Sequence, residues 1–279
     1  MVNSLNLNSK QFEDQFFVVT GSTQGLGATV AKALAARGAA GLIICGRNVQ
    51  RGAMRVAELA ELGCDAKFIE VDLSQVDDCR KLIAAAKHHF GTLHGLVNCA
   101  AQTDRGGILD TSPELFDSMF ATNVKAPFFL MQDSIKLMIA TGIEGSIVNI
   151  ASMSGHGGQS FLTPYSVSKG AVATLTKNVA FSTIRNQIRV NALNIGWMDT
   201  PHEHEIQTQY HHASDDWLTE IEAKQPFKRL LKPEEVARTV CFLLSKESGM
   251  MTGAIIDMDQ GVNGCGDNET PRPADPLAI

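Results

Sequence analysis

The stretch Phe16-Phe17-Val18-Val19-Thr20-Gly21-Ser22-Thr23-Gln24-Gly25-Leu26-Gly27 decides the fold of this chain. It joins an apolar run to an Ala-rich helical pattern over residues 26–37, which stops at Arg37-Gly38. A strand that turns through glycines into a helix presents free backbone N–H groups at the helix N-terminus. The helix dipole favours negative charge at that point. Glycines also let the backbone turn tightly and approach a pyrophosphate. The spacing is G-x-x-x-G-x-G rather than the common G-x-G-x-x-G, so its place at the first strand–helix junction carries as much weight as the pattern.

Short apolar runs keep alternating with helical patterns. Leu42-Ile43-Ile44-Cys45 reads as a second strand and residues 49–62 as a helix closed by Gly63. Lys67 to Val71 is a third strand, followed by a helix over roughly residues 75–90. Leu96-Val97-Asn98 and Ser146 to Ile150 flank a long helix near 113–140. Pro164 starts a helix to about Ser182, Ile188 to Leu193 is a strand, Pro233 opens a helix, and Ala254 to Met258 closes the set. This alternation predicts an α/β protein: a single-domain Rossmann fold, with a doubly wound seven-stranded parallel sheet and helices on both faces. The expected organisation is a polar N-terminal extension over 1–13, the domain over 14–262, and an extended tail over 263–279. Residues 199–230, polar and rich in His and Glu, break the rhythm and read as a substrate-loop lid.

The chain has 279 residues, 44% hydrophobic and only 6% aromatic, which suits aliphatic strands and Ala-rich helices. Its net charge is −6 and no Lys/Arg run occurs, which argues against nucleic acid as a partner. No apolar stretch approaches the roughly 20 residues that span a bilayer. The first fifteen residues show no signal-type apolar segment. Six scattered cysteines form no C-x-x-C pair, so they read as reduced thiols of a cytoplasmic protein.

Tyr165 and Lys169 stand four apart on a helical pattern, and Ser152 lies thirteen residues upstream of Tyr165. That spacing puts a phenol and an ammonium on one helix face. A free phenol has a pKa of about 10 and is a poor base at neutral pH. A nearby cation lowers that value, so the pair is expected in a cleft with a further positive charge helping. Taken singly, each residue has a plainer role open to it. Tyr165 can cap a core helix, Lys169 can be solvated, and Ser152 can end a strand.

In combination these motifs resemble the classical short-chain dehydrogenase/reductase family over about residues 14–262. Thr20 to Gly27 is similar to the family's T-G-x-x-x-G-x-G loop, with Gly21, Ser22, Thr23, Gln24, Gly25, Leu26 and Gly27 against the cofactor. Asp72-Leu73 matches the pair bordering the adenine, although Asp72 can also cap a helix beside Ser74. Asn98-Cys99-Ala100-Ala101 stands where the family has N-N-A-G, which places Asn98 and Ala100 at the cofactor. Asn123, Ser152, Tyr165 and Lys169 match the catalytic tetrad. Residues 194–200 resemble the P-G-x-x-x-T segment that meets the nicotinamide, through Gly196, Met198 and Thr200. Cys99, Ala101 and Ile195 depart from the pattern.

The resemblance implies reversible hydride transfer between a nicotinamide cofactor and a secondary alcohol or carbonyl. Tyr165 would be general acid and base, Ser152 would hold the substrate oxygen, and Lys169 would meet the nicotinamide ribose. Asn123 would hold a water leading protons out. It also implies a homotetramer or homodimer built on the helices near 113–140 and 164–182. Cys45-Gly46-Arg47-Asn48 has no acid for the ribose of NAD. Arg47 can pair with a 2′-phosphate or stack on the adenine, so the expectation is NADP before NAD, with Asn48 beside it. Gln24, where many NADP-preferring relatives carry a base, argues the other way.

The cluster Pro201-His202-Glu203-His204-Glu205, with His211-His212, invites a metal reading, but neighbours two apart on a helix diverge, so no metal is expected. His156, Gln159, Trp197 and His202 are substrate-pocket candidates from their loop positions, with Ser152. The polar lid leans toward a sugar or polyol. A cofactor-binding sensor or scaffold without turnover is the alternative, and the intact Ser152, Tyr165 and Lys169 weigh against it.

Overall fold

Phe17 and Val19 of strand β1 (Phe16–Val19) pack into one apolar cluster and Val18, between them, into another. That alternation gives a sheet covered on both faces. The computed structural model describes residues 10–265, apart from residues 212 and 215 and the side chain of residue 211. The strands after β1 are β2 (Gly41–Gly46), β3 (Asp65–Glu70), β4 (Gly95–Asn98), β5 (Ser146–Ser152), β6 (Arg189–Ile195) and β7 (Ile255–Met258). They pair in parallel in the order β3-β2-β1-β4-β5-β6-β7. The expected doubly wound, seven-stranded Rossmann sheet is present.

Helix α1 (Gly25–Ala35) and helix α9 (Pro233–Leu244) cover one face. Leu26, Val30 and Leu34 meet Val236, Val240 and Leu244 there, against Phe17, Leu42 and Val97. Helix α3 (Val76–Phe90) and helix α5 (Ala126–Thr141) cover the other. They bring Leu82, Leu130 and Met138 onto Val18, Ile43, Leu96 and Ile147. Helix α2 (Val49–Glu61) lies beside β3, and helix α6 (Thr163–Thr183) beside β5 and β6. Burying each of these aliphatic side chains stabilises the fold by about 1.5–3 kcal/mol.

Three expectations are corrected here. Phe12, placed by sequence in a polar extension, is fully buried with its ring edge-on to Phe17 at 5.1 Å. Its amide donates to the Arg37 carbonyl, so the domain begins before Asp14. Residues 1–9 and most of the expected tail, 266–279, lie outside the described residues. The long helix near 113–140 is interrupted. Helix α4 (Pro113–Phe120) passes through a π-turn, Ala121–Lys125, into α5. Pro127 explains this: without an N–H it cannot bond the carbonyl four residues back, at position 123. The 199–230 segment is also no free loop. It forms helix α7 (Pro201–His211) and helix α8 (Trp217–Lys224), held down by buried Ile206 and Trp217.

Candidate active site

The sheet order reverses between β1 and β4, and a crevice opens beyond the carboxyl ends of the strands at such a point. A cleft of about 1390 Å³ lies there. One part of its wall is the turn from β1 into α1. Gly21 has φ +62°, and a Cβ on it would stand 2.9 Å from the Ala100 Cα. A Cβ on Gly27 would come within 2.3 Å of the Gly21 carbonyl oxygen. Thr20 Oγ1 accepts from the amides of Cys99 (2.9 Å) and Ala100 (3.0 Å), tying the turn after β4 to the glycine turn. Those bonds use backbone donors, so Cys99 in place of the family's Asn leaves the turn intact. β6 runs through Ile195, which pairs with Met258, so Ile195 in place of Pro is held by the sheet.

The cleft brings together most of the residues picked from the sequence. Gly21, Thr23, Gln24, Gly25, Leu26, Gly27, Arg47, Asp72, Leu73 and Ala100 line it, as do Ser152, Gln159, Tyr165, Lys169, Gly196, Trp197, Met198, Thr200 and His202. Gln24 Oε1 takes a hydrogen bond from Arg51 Nη1, while Asp72 Oδ1 accepts from the Ser74 amide at 3.0 Å.

Five picked residues do not line the cleft. Ser22 turns inward: its hydroxyl donates to the Val19 carbonyl (2.7 Å) and accepts from the Cys45 amide (2.9 Å). Asn48 caps α2, accepting from the Arg51 amide. Asn98 is buried, donating to Asn149 Oδ1 at 2.8 Å. Asn123 sits in the π-turn with its amide committed. Oδ1 accepts from the Gln102 amide (2.8 Å), and Nδ2 donates to the Gln102 carbonyl (2.9 Å) and Ser168 Oγ (3.1 Å). His156 turns toward Asp257, 2.9 Å from its Oδ1, and Asn194.

β5 ends at Ser152, which is buried, and α6 carries Tyr165 and Lys169 one turn apart. Lys169 Nζ donates to the Ile150 carbonyl at 2.9 Å and lies 5.6 Å from the Tyr165 ring centre. Burial pushes the Lys169 ammonium down to about 8. The expected lowering of the Tyr165 pKa is corrected: burial pushes the phenol above its ordinary value. Ser152 and the charge of Arg105 pull it back, and Glu203 opposes them. A phenol in a dry wall resists ionisation unless charge near it compensates.

Trp197 Nε1 donates to Glu203 Oε1 at 2.8 Å, and its ring stacks on Trp217 at 6.2 Å. Asp199 receives His204 Nε2 (2.8 Å) and Lys232 Nζ (2.7 Å), pinning α7 beside α9. Burial raises the Asp199 carboxyl, but the bonds from Lys232 and His204 outweigh it and hold the pKa below the usual range. His202 faces Thr103 and Glu205. The His/Glu run thus disperses to separate partners, and no group of three or more potential metal ligands converges among the described residues. His212 lies outside them.

Reading the sequence alone missed Gln102, Thr103, Arg105, Phe161, Glu203 and Tyr210, all of which line the cleft. The signal for the first three was position: they follow β4 directly, at the switch point of the sheet.

Comparison with known proteins fits this geometry. The family model described as enoyl-(acyl carrier protein) reductase matches residues 21–263. A galactitol 2-dehydrogenase of Agrobacterium fabrum is 30% identical over 250 residues, covering 88% of this chain and 95% of its own. A 3beta-hydroxysteroid dehydrogenase of Mediterraneibacter gnavus is 32% identical over 269 residues, covering 90% of this chain and 95% of its own. The crystal structure of a variant actinorhodin polyketide ketoreductase with NADPH superposes with a TM-score of 0.84 at 29% identity, over 91% of this chain and 99% of that one. Kinship across nearly the whole described domain follows, and the chain belongs to the classical short-chain dehydrogenase/reductase family of oxidoreductases.

Proposed function

We propose that this protein transfers hydride between NADP(H) and a small polar secondary alcohol or its carbonyl, with Tyr165 as general acid and base. The observation that carries this reading is the meeting of Ser152, Tyr165 and Lys169 with the glycine turn in one cleft.

The residues fit a nicotinamide dinucleotide. Gly21 and Gly27 pack so closely that no side chain fits, and the first turn of α1 leaves amide groups for a pyrophosphate. The end of β2 carries no carboxylate, and Arg47 there is exposed, without an ion pair among the described residues. An unpaired guanidinium supports a 2′-phosphate and so NADP over NAD. The NADPH held by the actinorhodin ketoreductase points the same way.

When bound, the nicotinamide supplies the hydride acceptor or donor and, oxidised, a positive charge. Tyr165 Oη takes the hydroxyl proton in oxidation and returns it in reduction. Ser152 donates to the substrate oxygen and keeps it beside the phenol. Lys169, anchored on the Ile150 carbonyl, keeps a cation near the Tyr165 ring. Asn123 is a positioning residue: its amide fixes the Gln102 backbone and Ser168 rather than facing the cleft.

Gln102, Thr103, Gln159, His202 and Gln207 make much of the wall polar, which supports a hydroxylated substrate such as a sugar or polyol over a steroid. Val167 and Phe181 on α6, and Phe128 and Ile139 on α5, are exposed apolar side chains. They support a homotetramer or homodimer built on these helices, which light scattering tests. No described helix is long and apolar enough to cross a membrane, and the six cysteines are free, which supports a cytoplasmic setting. The decisive assay follows reduced-nicotinamide absorbance with each cofactor and a panel of polyols, sugars, hydroxysteroids and keto acids. Cofactor binding without turnover of any member would favour a sensor or scaffold instead.

A further inference from the structure

Arg105 lies in the loop after β4, on the wall of the cleft that holds Tyr165. The loop is pinned by backbone bonds. The Gly106 amide donates to the Phe161 carbonyl (2.9 Å), and the Thr163 amide donates to the Gly106 carbonyl (3.0 Å). The backbone next to Arg105 is therefore fixed against Thr163, the first residue of α6 and just ahead of Tyr165. Its guanidinium lies 5.7 Å from the Phe161 ring centre and 6.0 Å from that of Tyr210. Nη1 donates to the Thr103 carbonyl at 2.9 Å, and Nε is buried with no acceptor among the described residues. No described carboxylate forms an ion pair with it.

The acids of the same wall are already engaged. Asp104 accepts from the Tyr210 hydroxyl (3.1 Å), Glu203 from Trp197 (2.8 Å) and Gln207 (2.7 Å), and Glu205 pairs with His202 (3.3 Å). What remains is a fixed guanidinium, held between two rings and deprived of a counterion. Its planar fork matches a carboxylate through two parallel hydrogen bonds. A half-buried cation left unpaired is costly, which argues for a partner arriving with the ligand. Glu203 lines the same cleft, and its negative charge opposes a doubly charged phosphate more strongly than a single negative charge.

We propose that Arg105 anchors the carboxylate of the substrate, so that the alcohol or carbonyl belongs to a hydroxy or keto carboxylic acid, of the sugar-acid kind, rather than a neutral polyol. This rests on the hydride-transfer reading above and names its substrate class. Arg105 selects the substrate, and Tyr165 carries the proton.

The test uses the full-length protein with NADP+ and matched pairs: gluconate against sorbitol, and 3-hydroxybutyrate against 2-butanol. The acid of a pair is expected to have the higher kcat/KM. Arg105→Gln should lower the acid's kcat/KM by roughly 10–100-fold, mainly through KM, the scale of one lost charged hydrogen bond. The neutral partner should keep its KM and lose only a smaller kcat share, because removing the Arg105 charge also makes the Tyr165 phenol harder to ionise, and Arg105→Lys should fall between. Equal loss on both partners, no preference for the acids, or weakened NADPH binding in Arg105→Gln would overturn the proposal. Calorimetric titration of gluconate and 3-hydroxybutyrate into the NADPH complex separates the two readings. Carboxylate binding that depends on Arg105 without any turnover would sustain the anchor and sink hydride transfer. Absence of carboxylate binding would sink the anchor alone.

Discussion

Lys169 holds its ammonium 5.6 Å from the centre of the Tyr165 ring while donating to the Ile150 carbonyl at 2.9 Å. Burial strains the charge on both: it lowers Lys169 to about 8 and raises the Tyr165 phenol. At pH 7 the free protein thus sets a charged ammonium beside a neutral phenol, and ionising the phenol falls to whatever further positive charge the cleft acquires on binding.

A stability consequence follows for Lys169. Below about pH 8 both folded and unfolded chains hold its proton, and the folded state carries the burial cost. Between there and the ordinary lysine range the unfolded chain binds more protons, so this group's contribution to stability rises with pH. Lys169→Met, which removes the buried charge, is expected to raise Tm at pH 7. The scale is on the order of a few kcal/mol. The gain should fade toward pH 10 in thermal melts of the cofactor-free protein. A variant less stable than wild type at pH 7 would contradict the burial argument.

Tyr165→Phe keeps the ring and removes the proton carrier. Turnover should fall by about 10²–10⁴-fold, the usual scale of general acid–base catalysis. NADPH affinity, read by nicotinamide fluorescence, should stay close to wild type. Residual activity near wild type would mean that another group moves the proton.

Gly27→Ala tests the phosphate turn. Its Cβ would lie 2.3 Å from the Gly21 carbonyl oxygen and 3.0 Å from that of Thr20. Both contacts are backbone, so the turn itself must open. The expected costs are about 1–3 kcal/mol of stability and a marked loss of NADPH affinity. Normal cofactor binding in this variant would place the dinucleotide elsewhere.

Arg47→Ala addresses cofactor choice. Losing one charged hydrogen bond to a 2′-phosphate should weaken NADPH by about 10–100-fold and leave NADH unchanged. An unaltered ratio would indicate that Arg47 only stacks on the adenine.

Thiol chemistry checks the burial pattern. Burial pushes Cys45, Cys64 and Cys99 up to about 12 and Cys79 and Cys241 to about 11, whereas Cys265 is exposed. Cys265 is expected to react rapidly with a disulfide reagent in the native protein, and the five others on unfolding. Cys99, on the cleft wall, should be further slowed by NADPH. For these groups the stability is complete below the ordinary thiol value and is lost as pH rises from about 9 toward 12, because the unfolded chain ionises first.

Much of this was legible in the chain. Runs such as Leu42 to Cys45 between Ala-rich helical stretches predict a parallel sheet, and Gly21, Gly25 and Gly27 mark the turn at its first strand. Pro127 was equally visible, but its effect on the preceding turn, and so on Asn123, appears only once the helix is built. The lid helices were hidden for another reason. Ile206 and Trp217 are isolated apolar residues in polar stretches, and their burial comes from distant partners.

The sequence by itself determined the fold, the family resemblance and the convergence of Ser152, Tyr165 and Lys169, because strand and helix periodicity and motif spacing are local. Tertiary structure alone decided which polar side chains face the cleft. Asn98, Asn123 and His156 were turned away by partners 51, 21 and 101 residues off. Arg105 was brought to Tyr165 by a backbone bridge between Gly106 and Leu162, a pairing that no local pattern encodes. The sign of the Tyr165 shift was decided in the same way, since desolvation depends on everything packed around the phenol and not on the lysine one turn along.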